Sequence, residues 1–189
     1  MQHISFNNPN LRHMGRVSDA VDPVTHAPFQ TWAFPYTQVS FRCTGTYIGV
    51  RLVNYWGYGR ATLGAIVDGL QLRIPVPIDT EHDAVTLENG YPSRVEPTKP
   101  ADAQPSTQSD VRKPVYVTIA EQLPNIMHEV TIFKRQDEGN NRYDMISIEL
   151  DDNAQLLPPS ATKPSRRMEF YGDSVTCGER CEALCYEGQ

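Results

Sequence analysis

Apolar residues recur with a period of two, or run together in short stretches, in eight segments of this chain. A period of two gives a strand one face for a core and one face for water. The chain has no pattern of a convincing long helix, and many short strands separated by turns are typical of a sandwich or a jelly roll. We therefore predict an all-β fold, an antiparallel β-sandwich of jelly-roll type. The predicted strands cover residues 38–43, 47–53, 61–67, 70–76, 84–87, 115–120, 128–134 and 143–150.

The dipeptide Asp68-Gly69 separates two of these apolar runs. A type I′ turn requires positive φ at both central residues, and aspartate and glycine tolerate that conformation better than most residues do. The dipeptide therefore predicts a tight hairpin that joins strands 61–67 and 70–76.

The last predicted strand ends at about Asp151, and the predicted domain organisation follows from this. Residues 1–157 are predicted to form the sandwich, and residues 158–165 a short linker stiffened by its prolines. Residues 89–113 are polar and rich in proline, so we interpret them as a long surface loop inside the sandwich. Residues 166–189 can supply one strand and a short helix, the beginning of a second domain of α/β type.

The buried interior is expected to include one cysteine and a cluster of aromatic residues. Cys43 lies within an apolar strand pattern, which predicts a buried free thiol. Trp32 is interpreted as a core residue together with Phe29, Phe34 and Tyr36, because the prolines and polar residues around them are typical of an entry segment that lies on a sheet.

A serine follows the last β-prone run in the tripeptide Gly172-Asp173-Ser174. Residues 166–171 favour a short strand, Gly172 permits a tight turn, and Asp173 suits a structural turn or a helix cap. A serine placed there presents its hydroxyl near free backbone N–H groups, as a nucleophilic serine requires. Ser174 is therefore the candidate catalytic residue, although a capped helix start without any chemistry uses the same residues.

Five groups of residues occur in the order of the landmarks of a known enzyme family. They are Asn8-Pro9-Asn10 with Met14-Gly15-Arg16; Ala65-Ile66-Val67-Asp68-Gly69; Ile119-Ala120-Glu121-Gln122-Leu123 with His128-Glu129-Val130-Thr131-Ile132-Phe133-Lys134-Arg135; Ile148-Glu149-Leu150-Asp151 with Leu156-Leu157-Pro158-Pro159; and Gly172-Asp173-Ser174-Val175-Thr176. On these residues the chain resembles carbohydrate esterase family 2, the acetylxylan esterase-like proteins, along almost its whole length.

The resemblance implies an N-terminal jelly-roll domain followed by an SGNH hydrolase domain of the GDSL type, truncated soon after its first motif. It also implies removal of O-acetyl groups from xylan or glucomannan, with Ser174 as the nucleophile and its backbone N–H as one oxyanion donor. No histidine of this chain matches the catalytic base of the family, so the chain on its own is expected to be inactive. No cofactor is expected. The chain departs from the family at Glu179-Arg180, where the family often has Tyr-Gly.

A carbohydrate-binding role is the alternative. Tyr55, Trp56 and Tyr58 stand between two predicted strands, and the glycines beside them suit a loop that presents rings to a sugar. The same rings could instead close one end of the core, and the sandwich could merely brace the hydrolase or mediate homo-oligomerisation. The sequence leaves these alternatives open.

Three cysteines near the end of the chain have donor atoms that metals use. Cys177, Cys181 and Cys185 recur at every fourth residue, and a helix would spread them over about 12 Å along its axis. One ion cannot easily hold ligands so far apart. Packing against a sheet is the better interpretation, and no metal site is predicted.

The charge and the hydropathy of the chain argue against two classes of partner, nucleic acids and membranes. The formal net charge is −6, and nucleic acid is not expected as a partner because its phosphate backbone is bound by clustered basic residues. No apolar window has the length of a transmembrane helix, and residues 1–8 lack the apolar core of a signal peptide, so no membrane partner is predicted. The family is often exported, which implies secretion or a periplasmic location, whereas the sequence leaves a cytoplasmic location open. An acetylated plant cell-wall polysaccharide is the expected partner.

Overall fold

The computed structural model describes most of the chain as strands joined by short turns. It describes residues 1–23, 25–55, 61–77, 85–88, 91–94, 113–135, 142–161, 165–166, 168–173 and 175–176, and of residues 85–88 and 91–94 only the backbone. The strands in this part are β1 Gln2–Ser5, β2 Arg12–Met14, β3 Ser18–Val21, β4 Pro28–Trp32, β5 Gln38–Cys43, β6 Ile48–Tyr55, β7 Thr62–Val67, β8 Leu70–Pro75, β9 Val85–Glu88, β10 Tyr91–Arg94, β11 Val115–Ala120, β12 His128–Lys134, β13 Arg142–Leu150 and β14 Leu156–Leu157.

Two antiparallel sheets form the fold. The first has the strand order β11-β6-β13-β4-β3, and β1 also pairs with β13. The second has the order β14-β5-β12-β7-β8, and β2 also pairs with β5. Within the part of the chain that the structure describes, strands β9 and β10 pair with each other and with no other strand. Neighbours that are distant in sequence, such as β6 and β13, are typical of a sandwich with crossing connections. The predicted antiparallel β-sandwich is therefore confirmed.

The core lies between the two sheets, where alternate side chains of each strand meet. On β5 the residues Val39, Phe41 and Cys43 are fully buried, while the residues between them are partly exposed. The ring of Phe6 meets the buried ring of Trp32 edge-on, with centroids 5.7 Å apart. Edge-to-face contacts of this kind are the favoured arrangement of paired aromatic rings. Burial of Trp32 and of the free thiol of Cys43 confirms two predictions from the sequence.

The turn between β7 and β8 also has the predicted form. Asp68 and Gly69 have φ values of 50° and 83°, and Val67 pairs directly with Leu70 across the hairpin. Positive φ at both central residues is the signature of a type I′ turn.

Several strands were not predicted from the sequence. Strands β1 and β4 lie end to end along one edge of β13, and β2 and β14 share one edge of β5 in the same way. Most of these segments are short, and neighbouring strands supply the hydrogen bonds that make them regular. Strand β10 falls inside residues 89–113, so the interpretation of that whole segment as a loop is wrong at this point.

Two predicted core aromatics lie on the surface. The side chains of Phe34 and Tyr36 are 39% and 68% exposed, and Phe29 is half-buried. The prediction for Phe34 and Tyr36 is wrong because both belong to a turn between β4 and β5, where side chains no longer alternate between core and solvent.

The end of the chain differs from the prediction as well. Residues 168–171 form no strand, and Met168, Phe170 and Tyr171 are each more than three-quarters exposed. A strand needs a neighbour to receive its backbone hydrogen bonds, and none pairs with this segment among the described residues. The helix expected from Val175 onwards falls mainly on residues 177–189, which lie outside the described residues. Within the described part of the chain, no helix is long and apolar enough to cross a membrane.

Candidate functional site: the serine motif and the polar face of the first sheet

Two residues of the serine motif, Gly172 and Asp173, make local contacts with residues 175 and 176. The backbone N–H of Val175 donates to the Asp173 carboxylate at 3.0 Å, which is the hydrogen bond of an Asx turn. A Cβ on Gly172 would stand 2.0 Å from the Thr176 hydroxyl, so a larger residue there would require the Thr176 side chain to shift. Ser174 itself lies outside the described residues, as do the three cysteines of the terminal segment.

The chain reaches this turn by crossing the outer face of the second sheet. Arg42 on β5 donates to the Pro158 carbonyl at 2.9 Å, and Arg12 on β2 donates to the Pro159 carbonyl at 3.3 Å. The Ser160 hydroxyl donates to the Glu129 carboxylate at 2.7 Å. These contacts hold residues 158–160 against the outer face of the second sheet.

Tyr171 makes a hydrogen bond within its own segment. Its pKa is raised, chiefly because its hydroxyl donates to the Glu169 carboxylate at 2.6 Å, while Arg16 acts in the opposite direction. Arg16 follows β2, and its guanidinium lies 5.6 Å from the centre of the Phe34 ring.

Tyr55 belongs to a polar cluster on the outer face of the first sheet. The Arg142 guanidinium lies over its ring, 4.0 Å from the ring centre, and Arg142 Nε is 3.8 Å from the Asp144 carboxylate. Thr31 donates to the same carboxylate at 2.7 Å. Burial, followed by the charge of Asp144, raises the pKa of Tyr55. Arg142 covers one face of the Tyr55 ring. Trp56 and Tyr58, the other two predicted sugar contacts, lie outside the described residues.

The same face continues toward β1 with further charged groups. The Ser147 hydroxyl donates to the fully buried Glu149 carboxylate at 2.5 Å, and His3 Nδ1 lies 2.5 Å from its other oxygen. Here the carboxylate stands between serine and histidine, whereas a catalytic serine requires the histidine in the middle. This cluster of Ser147, Glu149 and His3 is therefore a structural tie between β1 and β13.

Other histidine rings of the sandwich also have partners. His13 Nε2 lies 2.9 Å from the Phe6 carbonyl, and burial lowers the pKa of His13. The two ring nitrogens of His128 lie 2.7 Å from Asp68 and 2.8 Å from the Pro124 carbonyl. With the ring of His3 at Glu149 on the outer face of the first sheet, three of the described histidines have partners that belong to the sandwich.

No family model matches the chain, and no curated protein matches it either. Among solved structures, a family two carbohydrate esterase from Cellvibrio japonicus is similar with a TM-score of 0.64 and 16% identity, covering 100% of this chain and 44% of its own. A family two carbohydrate esterase from Clostridium thermocellum, in complex with cellohexaose, has a TM-score of 0.55 and 22% identity, covering 89% of this chain and 38% of its own. A salicylyl-acyltransferase from a tetracycline biosynthetic pathway has a TM-score of 0.52 and 14% identity, and the match covers 87% of this chain and 43% of the acyltransferase chain.

These similarities concern the fold, because the identities are low. The chain spans less than half of the length of each of these three structures. The chain therefore has the fold of the matching part of family 2 carbohydrate esterases.

Proposed function

We propose that this chain is the accessory β-sandwich and first catalytic motif of a serine-dependent carbohydrate O-deacetylase. The observation that carries the proposal is the fold shared with family two carbohydrate esterases over 89% or more of the chain. The tripeptide Gly172-Asp173-Ser174 follows that fold after a short linker, and the Asx turn of Asp173 organises the backbone there. Together they support Ser174 as the nucleophile.

The proposed reaction is acyl transfer in two steps. The Ser174 hydroxyl oxygen attacks the acetyl carbonyl while a base removes its proton, and the backbone N–H of Ser174 donates to the developing oxyanion. The ester C–O bond breaks, and the sugar oxygen leaves with the proton. Water then attacks the acetyl-enzyme, which releases acetate and restores the serine.

The base in this scheme comes from outside the sandwich. The rings of His3, His13 and His128 have partners within the sandwich, as their contacts above support. A serine without a base is a poor nucleophile. The 189-residue chain on its own is accordingly proposed to be inactive, and no cofactor takes part.

The proposed substrate is an acetylated plant cell-wall polysaccharide such as xylan or glucomannan. A polymer of this kind does not enter cells, so the proposal includes export to the cell surface, the medium or the periplasm. The polar outer face of the first sheet, which carries Tyr55, Arg142 and Asp144, supports binding of hydroxyl-rich ligands as a second candidate role.

The test is acetate release from acetylated xylan and from a chromogenic acetyl ester. The 189-residue chain is compared with the product of the complete open reading frame that contains it, each with Ser174→Ala and, as a control, Ser165→Ala in the exposed linker. We expect activity only in the complete product and a loss of about 10³-fold or more in Ser174→Ala. Undiminished hydrolysis by Ser174→Ala would exclude the proposed nucleophile, and turnover by the short chain would contradict a base outside it.

A further inference from the structure

The turn between β4 and β5 holds an aromatic residue in an unfavourable backbone conformation. Residues 34–37 form a β-turn in which the Thr37 N–H donates to the Phe34 carbonyl at 3.4 Å, with Pro35 at the second position. Tyr36 occupies the third position with a φ of 58°. A type II turn requires positive φ there, which glycine or asparagine adopts most readily. For a residue with a side chain this conformation costs about 1–2 kcal/mol.

The Tyr36 ring is stacked on a second ring that lies flat on the sheet. The rings of Tyr36 and Phe133 are parallel within 1°, with centroids 5.7 Å apart. Phe133 is on the outer face of β12, across from Gly64 of β7. A Cβ on Gly64 would stand 2.2 Å from the Phe133 ring, so the absence of a side chain there lets the ring lie on the backbone. Phe133 is only 5% exposed, whereas Tyr36 is 68% exposed.

Backbone hydrogen bonds fix this arrangement to β12. The Tyr36 N–H donates to the Lys134 carbonyl at 2.8 Å, and the Lys134 N–H donates to the Thr37 carbonyl at 2.9 Å. The turn therefore cannot swing away from the sheet without losing both bonds. One face of the Tyr36 ring covers Phe133, and the side chain is held in position before any ligand arrives, which reduces the entropy cost of binding.

The row of residues that crosses the sheet at Phe133 is of mixed character. Gln38 pairs with Phe133 and is half-buried, and the exposed Met14 pairs with Gln38. On the other side the exposed Arg73 pairs with Gly64. One row further along the sheet, the hydroxyls of Ser40 and Thr131 lie 2.9 Å apart and can each donate or accept. A pyranose ring has an apolar C–H face and a rim of hydroxyl groups, so a flat aromatic ring beside hydrogen-bonding groups matches it.

Phe34, in the same turn, lies under the Arg16 guanidinium, whose carbon is 5.6 Å from the centre of the ring. A second exposed aromatic ring of this turn therefore stands beside a cation.

We propose that Tyr36 is a stacking platform for a pyranose ring of a neutral polysaccharide, on the outer face of the second sheet. This inference rests on the function proposed above, which makes a carbohydrate the partner. It differs from the sugar contacts predicted at Tyr55, Trp56 and Tyr58, because Tyr55 is on the first sheet and its ring is partly covered by Arg142. In this proposal the ring is used twice, once against Phe133 and once against the sugar.

The test measures binding rather than catalysis. Affinity electrophoresis and calorimetry of the 189-residue chain are carried out with soluble xylan, glucomannan and hydroxyethyl cellulose, using Tyr36→Ala, Tyr36→Trp and Tyr116→Ala. Tyr116 is a matched control because it is 58% exposed on the opposite sheet, where its ring faces Arg51. We expect Tyr36→Ala to weaken binding about tenfold or more, Tyr36→Trp to retain it, and Tyr116→Ala to leave it unchanged.

A further variant separates binding from folding. Tyr36→Gly removes the ring and also relieves the positive φ, so it should remain folded by thermal unfolding while losing the sugar. The inference is overturned if the unmodified chain binds none of these polysaccharides, or if Tyr36→Gly binds as well as the unmodified chain. It is also overturned if Tyr36→Gly abolishes self-association in sedimentation but leaves polysaccharide binding unchanged, since Tyr36 would then contact a second copy of the chain. Polysaccharide binding and acetate release are measured separately, so failure of the esterase proposal is distinguishable from failure of this inference.

Discussion

His128 Nδ1 lies 2.7 Å from a carboxylate oxygen of Asp68, and this contact ties the turn between β7 and β8 to the start of β12. The other oxygen of Asp68 accepts the Glu129 N–H at 2.9 Å, and His128 Nε2 lies 2.8 Å from the Pro124 carbonyl. Both ring nitrogens thus face acceptors, an arrangement that suits the protonated ring. Two sequence landmarks of the esterase resemblance, around Asp68 and around His128, meet at this pair.

We expect the pair to make stability depend on pH. Burial lowers the pKa of His128, but the hydrogen bonds to Asp68 and Pro124 outweigh it, so the net pKa is raised. The stability that this protonation contributes is full below the ordinary histidine pKa and is lost as pH rises through the folded pKa. The hydrogen bond with His128 lowers the pKa of Asp68. The contribution of Asp68 to stability is therefore lost as pH falls through its lowered pKa.

The measurement is urea unfolding between about pH 4.5 and 8.5, a range that spans the ordinary histidine pKa. Asp68→Asn keeps a residue that tolerates positive φ and should flatten the decline in unfolding free energy above the histidine pKa. Glu121→Gln removes an exposed charge and should leave the slope unchanged. If the unfolding free energy depends on pH with the same slope in the unmodified chain and in Asp68→Asn, the pair of Asp68 and His128 does not cause the pH dependence.

Gly64→Ala should destabilise the sandwich by about 1–3 kcal/mol, because the added methyl group meets the ring of Phe133. Phe133→Leu in the same chain should recover part of the loss, and a double-mutant cycle of unfolding free energies measures the coupling. Gly69→Asn is the control, since no atom lies within 4 Å of a Cβ at Gly69 and asparagine tolerates its positive φ. Additive effects of the two changes at Gly64 and Phe133 would contradict a direct clash.

Cys43 should resist alkylation in the folded protein. Burial, followed by the charges of Asp68 and Asp151, raises the pKa of its thiol to about 12. The thiolate is the reactive form, so at about pH 8 very little of Cys43 is reactive. Iodoacetamide labelling followed by peptide mass spectrometry should leave Cys43 unmodified in buffer and modified in guanidinium chloride. Rapid native labelling of Cys43 would show that the thiol is accessible.

Alanine substitutions at Trp56 and Tyr58 decide between a sugar contact and a core contact for the predicted aromatic loop. Loss of polysaccharide retention with an unchanged melting temperature supports binding, whereas lost stability supports packing. Tyr55→Ala is the companion variant, because Tyr55 packs under Arg142. Loss of that contact should lower the free energy of unfolding by about 0.5–1 kcal/mol. Unchanged retention and unchanged stability in both Trp56→Ala and Tyr58→Ala would remove the loop from either role.

Prediction from sequence succeeds where a strand carries its own periodic pattern. Strands β5, β11 and β12 begin and end at the predicted residues, because their alternating side chains face a core on one side. The turn at Asp68 and Gly69 was predictable for a local reason as well, since its chemistry resides in two adjacent residues. Strands β1 and β2 were missed, because they are only three or four residues long and take their regularity from β13 and β5.

The sequence by itself determined the sandwich, its central strands, the buried Trp32 and Cys43, and the candidate serine, because each depends on a local pattern or on an ordered set of motifs. Only the tertiary structure decided which aromatic rings reach solvent. Tyr36 and Trp32 stand four residues apart in one aromatic segment, yet one is stacked on the outside of the second sheet and the other is buried beneath the first. The difference arises from the turn at residues 34–37 and from the space above Gly64, which strands distant in sequence bring together.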